Sequence, residues 1–139
     1  MSVEYFLDTN ILLYAASAST EPAERTKHER CWALVAPKTF GTSGQVLQEF
    51  YANATKKAKH TMSASGASAW LKELDGIPCV PIDRVLVRAG IAFSIRYKIS
   101  YWDGAILAAA EALGTDRVYT EDLNHGQKYG AVTVINPFK

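Results

Sequence analysis

The sequence predicts an α/β fold: a three-layer α/β/α sandwich around a short-stranded, mainly parallel sheet. Short β-prone apolar runs alternate with longer amphipathic segments, and turn-forming residues separate them. This alternation is typical of a parallel sheet of four or five strands with helices on both faces. The 139 residues contain no repeat, linker or low-complexity tract, and 48% of them are hydrophobic. We therefore expect one domain, over residues 1–139, with a substantial buried core.

The first third of the chain predicts two strands and two helices. Residues 3–7 form a short apolar run that stops at Asp8, and a helix starts near residue 10. Residues 22–35 have the pattern of a charged amphipathic helix. A short strand is expected over residues 40–42.

The middle of the chain predicts two helices and a third strand. The helix expected over residues 43–59 carries apolar side chains every three or four positions: Leu47, Phe50, Tyr51, Ala54 and Ala58. Glu49 falls opposite this stripe, so the pattern favours a solvent-exposed side chain there. A helix over residues 63–74 follows. The strand expected over residues 77–82 contains two prolines, which weaken the pattern because proline cannot donate to a strand ladder.

The last third predicts two helices and two strands. An aspartate caps a helix over residues 83–97, and a helix over residues 101–113 ends at Gly114, a typical C-terminal stop. Residues 117–120 and 131–135 form the last strands. Parallel sheets bind ligands at the carboxyl ends of their strands, so the polar residues that follow each strand are the first candidates for a site.

Charge and cysteine content argue against a globally basic nucleic-acid-binding protein, a disulfide scaffold and a zinc–cysteine site. A net charge of +1, from 15 basic and 14 acidic residues, gives no global attraction to nucleic acid, so RNA binding would need a local basic patch. One concentrated basic run exists: Lys56, Lys57, Lys59 and His60. This run either contacts an RNA backbone or stabilises a helix C-terminus. Cys31 and Cys79 are too few for a disulfide scaffold and lack zinc-site spacing, which predicts two buried thiols in a reducing cytoplasm.

The chain shows no targeting or membrane segment. Its amino terminus lacks the basic region and apolar stretch of a signal peptide, and no apolar run approaches the roughly 18 residues that span a bilayer. We therefore expect a cytoplasmic protein without membrane contact.

Two aspartates occupy positions where a carboxylate needs an explanation. Asp8 directly follows the first strand, so its carboxylate lies at the ligand-binding edge or caps the next helix; its position alone does not separate the two. Asp103 would share a helical face with Ile106 and Leu107. A carboxylate facing the core is costly unless a partner or a metal compensates its charge. The alternative is a capping box, since Ser100 and Asp103 have the required spacing.

The turn after the strand over residues 117–120 holds two more acids, Glu121 and Asp122. It lies at the same carboxyl edge, and Thr120 could add a hydroxyl there. The alternative is a polar surface turn, since residues 121–126 are rich in turn formers. Which of the two acids faces inward stays open at this point.

A cluster of carboxylates suits Mg²⁺ or Mn²⁺, hard cations that prefer carboxylate and water oxygens. Such ions lower the pKa of a bound water and neutralise charge that builds on a phosphate. The three histidines, His28, His60 and His125, are scattered along the chain and do not indicate a zinc site.

Four stretches of the chain carry a family resemblance. They are residues 6–14 (FLDTNILLY), 45–51 (QVLQEFY), 100–110 (SYWDGAILAAA) and 119–123 (YTEDL). Together, and in this order, they resemble the PIN-domain family and, within it, the toxins of VapBC toxin–antitoxin pairs. Each stretch is weak by itself; the four together are specific and span the chain.

The resemblance implies that four acids converge on one pocket that binds Mg²⁺ or Mn²⁺: Asp8, Glu49, Asp103 and Asp122. It implies that Asp8, Asp103 and Asp122 hold the metal, and that Glu49 binds metal or orients the attacking water. Asn10 and Thr120 match residues that support such pockets. Gly104 departs from the alanine that the family more often has there.

The resemblance also implies a function. Similar toxins are endoribonucleases that hydrolyse structured RNA, including transfer and ribosomal RNA, without a covalent intermediate. They form homodimers and pair with a VapB-type antitoxin whose carboxyl-terminal segment covers the pocket. Two alternatives remain: a non-catalytic binding module with a PIN-like fold, and a phosphoryl-transfer α/β domain. The second would need paired acids after the first strand, where Asp8-Thr9-Asn10 supplies one.

Overall fold

A computed structural model describes residues 3–56 and 62–139. Its strands are β1 (Tyr5–Leu7), β2 (Phe40–Ser43), β3 (Cys79–Val80), β4 (Arg117–Tyr119), β5 (Lys128–Tyr129) and β6 (Val132–Ile135). Its helices are α1 (Thr9–Ala16), α2 (Pro22–Val35), α3 (Gly44–Ala54), α4 (Ala64–Lys72), α5 (Arg84–Tyr97) and α6 (Tyr101–Ala112). Strands and helices alternate, as the sequence predicts.

The strands form one mainly parallel sheet in the order β3-β2-β1-β4-β6-β5, in which only the β5–β6 pair is antiparallel. α1 packs against α2 and α3, and α3 against α4, whereas α5 packs against α6. With the right-handed crossovers that parallel strands almost always have, this strand order puts α1 to α4 on one face of the sheet and α5 with α6 on the other. The three-layer α/β/α prediction is therefore confirmed. The part of the chain that the structure describes has six strands rather than four or five, because the two-residue β5 is too short to leave a pattern.

The sheet is covered on both faces, which fits its composition. All three residues of β1 are buried, and β1 lies between β2 and β4 at the centre of the core. Parallel strands covered on both sides are apolar throughout rather than alternating. Because β1 to β4 run parallel, their carboxyl ends share one edge of the sheet, as the sequence analysis assumed.

Three local predictions need correction. The strand over residues 77–82 shrinks to Cys79–Val80, because the flanking prolines cannot donate to the ladder. Cys31 is buried, and burial raises the pKa of its thiol to about 12, but Cys79 is exposed because β3 is an edge strand. The prediction of two buried thiols is thus wrong for Cys79.

The predicted apolar stripe of α3 is correct at Phe50 and Ala54 and wrong at Leu47 and Tyr51. The buried side chains of this helix are Gln45, Val46, Phe50 and Ala54. Leu47 is only partly buried and Tyr51 is 38% exposed, while Ala58 lies outside the described residues. α3 packs against α1, α4 and the sheet. The buried face of α3 is therefore wider than one apolar stripe, and it includes the polar residue Gln45.

No helix within residues 3–56 and 62–139 is long and apolar enough to cross a membrane.

Candidate active site at the carboxyl edge of the sheet

Asp8 caps α1 and lies buried at the carboxyl end of β1. Its Oδ1 accepts a hydrogen bond from the Thr9 backbone N–H at 2.7 Å, and its Oδ2 accepts one from the Thr120 hydroxyl at 2.8 Å. Asp8 is therefore both a helix cap and a carboxylate at the edge of the sheet.

The environment of Asp8 disfavours its charged form. Burial raises the pKa of Asp8 to about 7, against the hydrogen bonds from Thr120 and Thr9, which lower it. The negative charges of Asp122 and Glu49 raise it further. A buried carboxylate with like charges beside it is a group that a cation would stabilise.

Glu49 is held at both carboxylate oxygens. Its Oε1 accepts the Thr9 hydroxyl at 2.7 Å, and its Oε2 accepts the Gln45 side-chain amide at 3.1 Å. Glu49 is partly buried, so the expectation of a solvent-exposed side chain is wrong. The reason is that this side of α3 faces Thr9 at the start of α1 rather than open solvent.

Asp103 lies in the first turn of α6, where the Ser100 hydroxyl accepts its backbone N–H at 3.1 Å. The side chain is partly buried beside Ile106 and Leu107, which are buried in the core. Partial burial raises the pKa of Asp103, the hydrogen bond with Ser100 lowers it, and the charges of Asp122 and Glu49 raise it. Here too the cap and the inward carboxylate occur together.

The two neighbouring acids after β4 point to different partners. Asp122 is exposed, and its Oδ2 accepts the Asn10 side-chain amide at 3.1 Å. Glu121 instead accepts the Tyr14 hydroxyl at 2.9 Å and lies 3.8 Å from the Lys27 ammonium. Asp122, and not Glu121, is therefore the acid that Asn10 and Thr120 link to Asp8.

Thr120 and Asn10 connect these acids. The fully buried Thr120 hydroxyl donates to Asp8 and accepts the Asp122 backbone N–H at 3.1 Å. The Asn10 amide that donates to Asp122 also lies 3.4 Å from the Thr120 hydroxyl oxygen. The Asn10 Oδ1 atom is buried and has no hydrogen-bond partner among the described residues. Both residues thus lie between Asp8 and Asp122.

We call the four acids Asp8, Glu49, Asp103 and Asp122 the acidic pocket. Their charges act on one another, as the pKa shifts of Asp8 and Asp103 show. The ion pairs found among the described residues, Lys27–Glu121, Lys38–Glu73 and Arg117–Asp116, involve none of the four. Within residues 3–56 and 62–139, no cationic side chain therefore pairs with an acid of the pocket.

Other candidates from the sequence lie elsewhere. His125 Nδ1 accepts the Asn136 backbone N–H, and His28 Nδ1 lies 3.0 Å from the Tyr14 carbonyl, so both have structural partners. Of the basic run, Lys56 is exposed, while Lys57, Lys59 and His60 lie outside the described residues. In residues 3–56 and 62–139, no three His, Cys, Asp or Glu side chains stand close enough to ligate one ion as they are.

The close approach of α6 to Gly90 on α5 explains why a glycine follows Asp103. A Cβ on Gly104 would lie 2.5 Å from the Gly90 carbonyl oxygen and 3.0 Å from the Ser94 backbone nitrogen. α6 therefore approaches the backbone of α5 too closely for any side chain at position 104. This contact fixes the turn that carries Asp103.

Sequence reasoning missed Thr9 and Gln45. Both lie inside stretches quoted for the resemblance, next to an acid or one helical turn before it. The spacing of Gln45 and Glu49 at i and i+4 was a usable signal, since such pairs face each other on a helix. Thr9 had no such signal, because its partner lies 40 residues away.

The comparisons with known proteins agree with this geometry. A PIN domain family model matches residues 5–130. A search of curated proteins found no match. Similar solved structures include a toxin–antitoxin complex from Klebsiella pneumoniae, at 17% identity, with 98% of each chain covered and a TM-score of 0.70.

Two further solved structures are similar in fold. One is VapC20 from Mycobacterium tuberculosis, described as a sarcin-ricin loop cleaving toxin, at 18% identity with 86% of this chain and 90% of that chain covered and a TM-score of 0.64. The other is VapBC2 from Rickettsia felis bound to a promoter DNA fragment, at 18% identity with 94% and 96% covered and a TM-score of 0.62. Since the family model spans most of the sequence, the chain belongs to the PIN-domain family.

Proposed function

We propose that the protein is a Mg²⁺- or Mn²⁺-dependent endoribonuclease and the toxin of a type II toxin–antitoxin pair. The observation that carries this proposal is the acidic pocket, which gathers four carboxylates from separate parts of the chain at the carboxyl edge of a PIN fold. Thr9, Asn10 and Thr120 link three of them by hydrogen bonds, and none of the four has an ion pair among the described residues. By contrast, Glu121, the sequence neighbour of Asp122, pairs with Lys27.

The residues of the pocket fit a hard divalent cation. All candidate donors are oxygens, which Mg²⁺ and Mn²⁺ prefer, and one or two carboxylates with waters are enough to hold such an ion. The spacing of the acids suits that kind of site better than one closed by three protein ligands. The unpartnered, buried Asn10 Oδ1 adds an acceptor for a water at the same place.

We assign separate roles to the pocket residues. Asp8, Asp103 and Asp122 would hold the ion, directly or through water. Glu49, fixed at both oxygens, would bind the ion or orient the attacking water in line with the scissile phosphate. When bound, the metal would lower the pKa of water and neutralise charge on the phosphate. Thr120 and Asn10 would keep Asp8 and Asp122 in position.

The proposed substrate is structured RNA, such as transfer or ribosomal RNA, in the cytoplasm. The description of VapC20 as a sarcin-ricin loop cleaving toxin supports an RNA substrate for a protein of this fold. The proposed partner is a VapB-type antitoxin, because the similar structures from Klebsiella and Rickettsia are complexes of toxins with antitoxins.

We further propose a homodimer. The exposed side of α5 and its surroundings carry large apolar side chains: Ile82, Val85, Ile91, Ile95 and Trp102. At 100° per residue, the three on α5 fall on one face of the helix. Exposed apolar surface of this kind is typical of a protein interface.

A nuclease assay tests the catalytic proposal. Purified protein and its Asp8→Asn variant would be incubated with a hairpin RNA that has a single-stranded loop, with MnCl₂, MgCl₂ or EDTA. We expect cleavage only by wild type and only with metal. If wild type shows no metal-dependent cleavage of hairpin, transfer or ribosomal RNA, the non-catalytic binding module is the better explanation.

Expression in a bacterial host tests the biological proposal. Wild type should arrest growth, Asp8→Asn should not, and co-expression of the small reading frame next to the gene should restore growth. If wild type is harmless at levels that give measurable RNase activity, the toxin proposal is wrong while the nuclease proposal stands.

A further inference from the structure

Gln45 joins the two helices that carry Glu49 and Asp103. It is the second residue of α3 and only 7% exposed, and its side-chain nitrogen donates twice. One hydrogen bond, of 3.1 Å, goes to Glu49 Oε2, and the other, also of 3.1 Å, goes to the Trp102 backbone carbonyl. Trp102 directly precedes Asp103 in the first turn of α6.

The orientation of this amide is determined by its partners. A carboxylate oxygen and a backbone carbonyl oxygen both only accept, so the NH₂ group, and not the oxygen, of Gln45 must face them. The NH₂ group has two N–H donors, and each of them has an acceptor. A buried and fully used amide is rigid, because any rotation breaks a hydrogen bond without water to replace it.

The connection crosses between layers of the fold. α3 belongs to the helices on one face of the sheet and α6 to those on the other, and their first turns meet at the carboxyl edge. The described hydrogen bonds of the Glu49 carboxylate go to Thr9 on α1 and to Gln45, so Gln45 links this acid to α6.

We propose that Gln45 is a positioning residue that fixes Glu49 and the turn of Asp103 relative to each other for divalent-cation binding. This inference rests on the function proposed above, since it needs a cation at the acidic pocket. Residues that hydrogen-bond to metal ligands typically change metal affinity by 10- to 100-fold when they are replaced. Gln45 reaches Glu49 directly and reaches Asp103 through the backbone.

The test compares two glutamines of the same helix. Gln45→Met keeps the length of the side chain and removes both donors, whereas Gln48→Met is a control because Gln48 is exposed. The Mn²⁺ dissociation constant would be measured by calorimetry on the full chain, and the melting temperature in EDTA would be recorded for each variant. We expect Mn²⁺ binding about 10-fold weaker in Gln45→Met and unchanged within twofold in Gln48→Met.

A second measurement asks whether Gln45 acts through Asp103. Gln45→Met would be repeated in an Asp103→Asn background, where its effect on the Mn²⁺ dissociation constant should shrink at least threefold, because interacting residues are not additive. Should Gln45→Met not fold, Gln45→Asn replaces it, since its shorter carboxamide cannot span both acceptors.

The outcomes separate the inference from the proposed function. If wild type binds Mn²⁺ and Gln45→Met binds it equally well while melting lower, Gln45 is only structural and the inference is wrong. An undiminished effect in the Asp103→Asn background also contradicts it. If wild type does not bind Mn²⁺ at millimolar concentration, the metal-dependent function itself fails, and the inference with it.

Discussion

Glu121 and Asp122 are adjacent in sequence but belong to two different clusters. Among the described residues, a lysine pairs with the first acid, and no cation pairs with the second. Glu121 lies in what we call the Lys27 cluster, formed by Tyr14, Lys27 and Glu121, where a hydroxyl and an ammonium neutralise the carboxylate. Asp122 belongs to the acidic pocket, whose members are held by neutral donors and by no cation. A net charge of +1 for the chain conceals this contrast. Under the function proposed above, Asp122, which has no ion pair among the described residues, takes part in cation binding, whereas Glu121 already has a cationic partner.

The largest expected effect of breaking the acidic pocket is on catalysis. Asp8→Asn should lower RNase activity by at least about 10²-fold, the scale of losing one essential electrostatic group. Asp103→Asn should do the same, with secondary structure retained by circular dichroism. Glu121→Gln, in the Lys27 cluster, is the matched control and should stay within a few-fold of wild type. Full activity of either aspartate variant, free of host nuclease, would refute the assignment.

The pH dependence of stability should reveal the raised pKa of Asp8. In EDTA the folded protein should keep the Asp8 proton until about pH 7, its raised pKa, whereas the unfolded chain loses it near the usual aspartate pKa of 3.8. The folded state therefore binds more protons in this interval, and the free energy of unfolding falls as pH rises.

The expected contribution of Asp8 to this fall is about 1.4 kcal/mol per pH unit between about pH 4 and 7, with no further loss above pH 7. Urea unfolding of wild type and Asp8→Asn at several pH values isolates this contribution as the difference between the two curves. Parallel curves would mean that the folded protein does not hold the Asp8 proton.

Overpacking the contact beneath Asp103 should have a smaller effect on stability. Gly104→Ala puts a methyl group against the Gly90 carbonyl, and overpacking of this kind costs about 1–3 kcal/mol. Gly76→Ala is the control, because a Cβ there meets nothing within 4 Å and should change stability by less than about 0.5 kcal/mol. Equal urea midpoints for the two variants would show that α6 can move away from α5.

The smallest expected effects are on the stability of the metal-free protein, and removing one charge should change it in opposite directions in the two clusters. Asp103→Asn removes one like charge from the acidic pocket, so the metal-free variant should be more stable than wild type by about 1 kcal/mol. Glu121→Gln removes a paired charge, so it should be less stable by no more than about 1 kcal/mol. Mn²⁺ should raise the melting temperature of wild type and of Glu121→Gln, and much less that of Asp103→Asn.

Melting curves with EDTA and with millimolar MnCl₂ decide this comparison. If Asp103→Asn melts below wild type in EDTA, or responds to Mn²⁺ as wild type does, Asp103 serves as a helix cap and not as a metal-holding group.

The sequence predicts those parts of the fold and of the candidate site that depend on local order along the chain. Asp8 and Asp122 were placed correctly at the sheet edge because each follows a short apolar strand, and parallel strands end together. Asp103 was found because an acid among core residues conflicts with the hydrophobic pattern.

Other features depend on contacts between distant parts of the chain. Glu49 was assigned to solvent from the helix pattern, which cannot show that Thr9 approaches that side of α3. The choice between Glu121 and Asp122 required the positions of Lys27 and Asn10. In the sequence, Gly104 is only a departure from the alanine that the family more often has, whereas in the structure it is where α5 and α6 nearly touch.

The hydrogen bond between Asp8 and Thr120 joins residues 112 positions apart, as does the one between Asn10 and Asp122. During synthesis the chain emerges from the ribosome amino terminus first, so β1 and Asp8 are made long before β4 and Asp122. The acidic pocket cannot assemble until both have been made and paired. A growing chain of the nuclease proposed here would therefore be inert beside the ribosome that makes it, and its activity would begin only with the docking of β4.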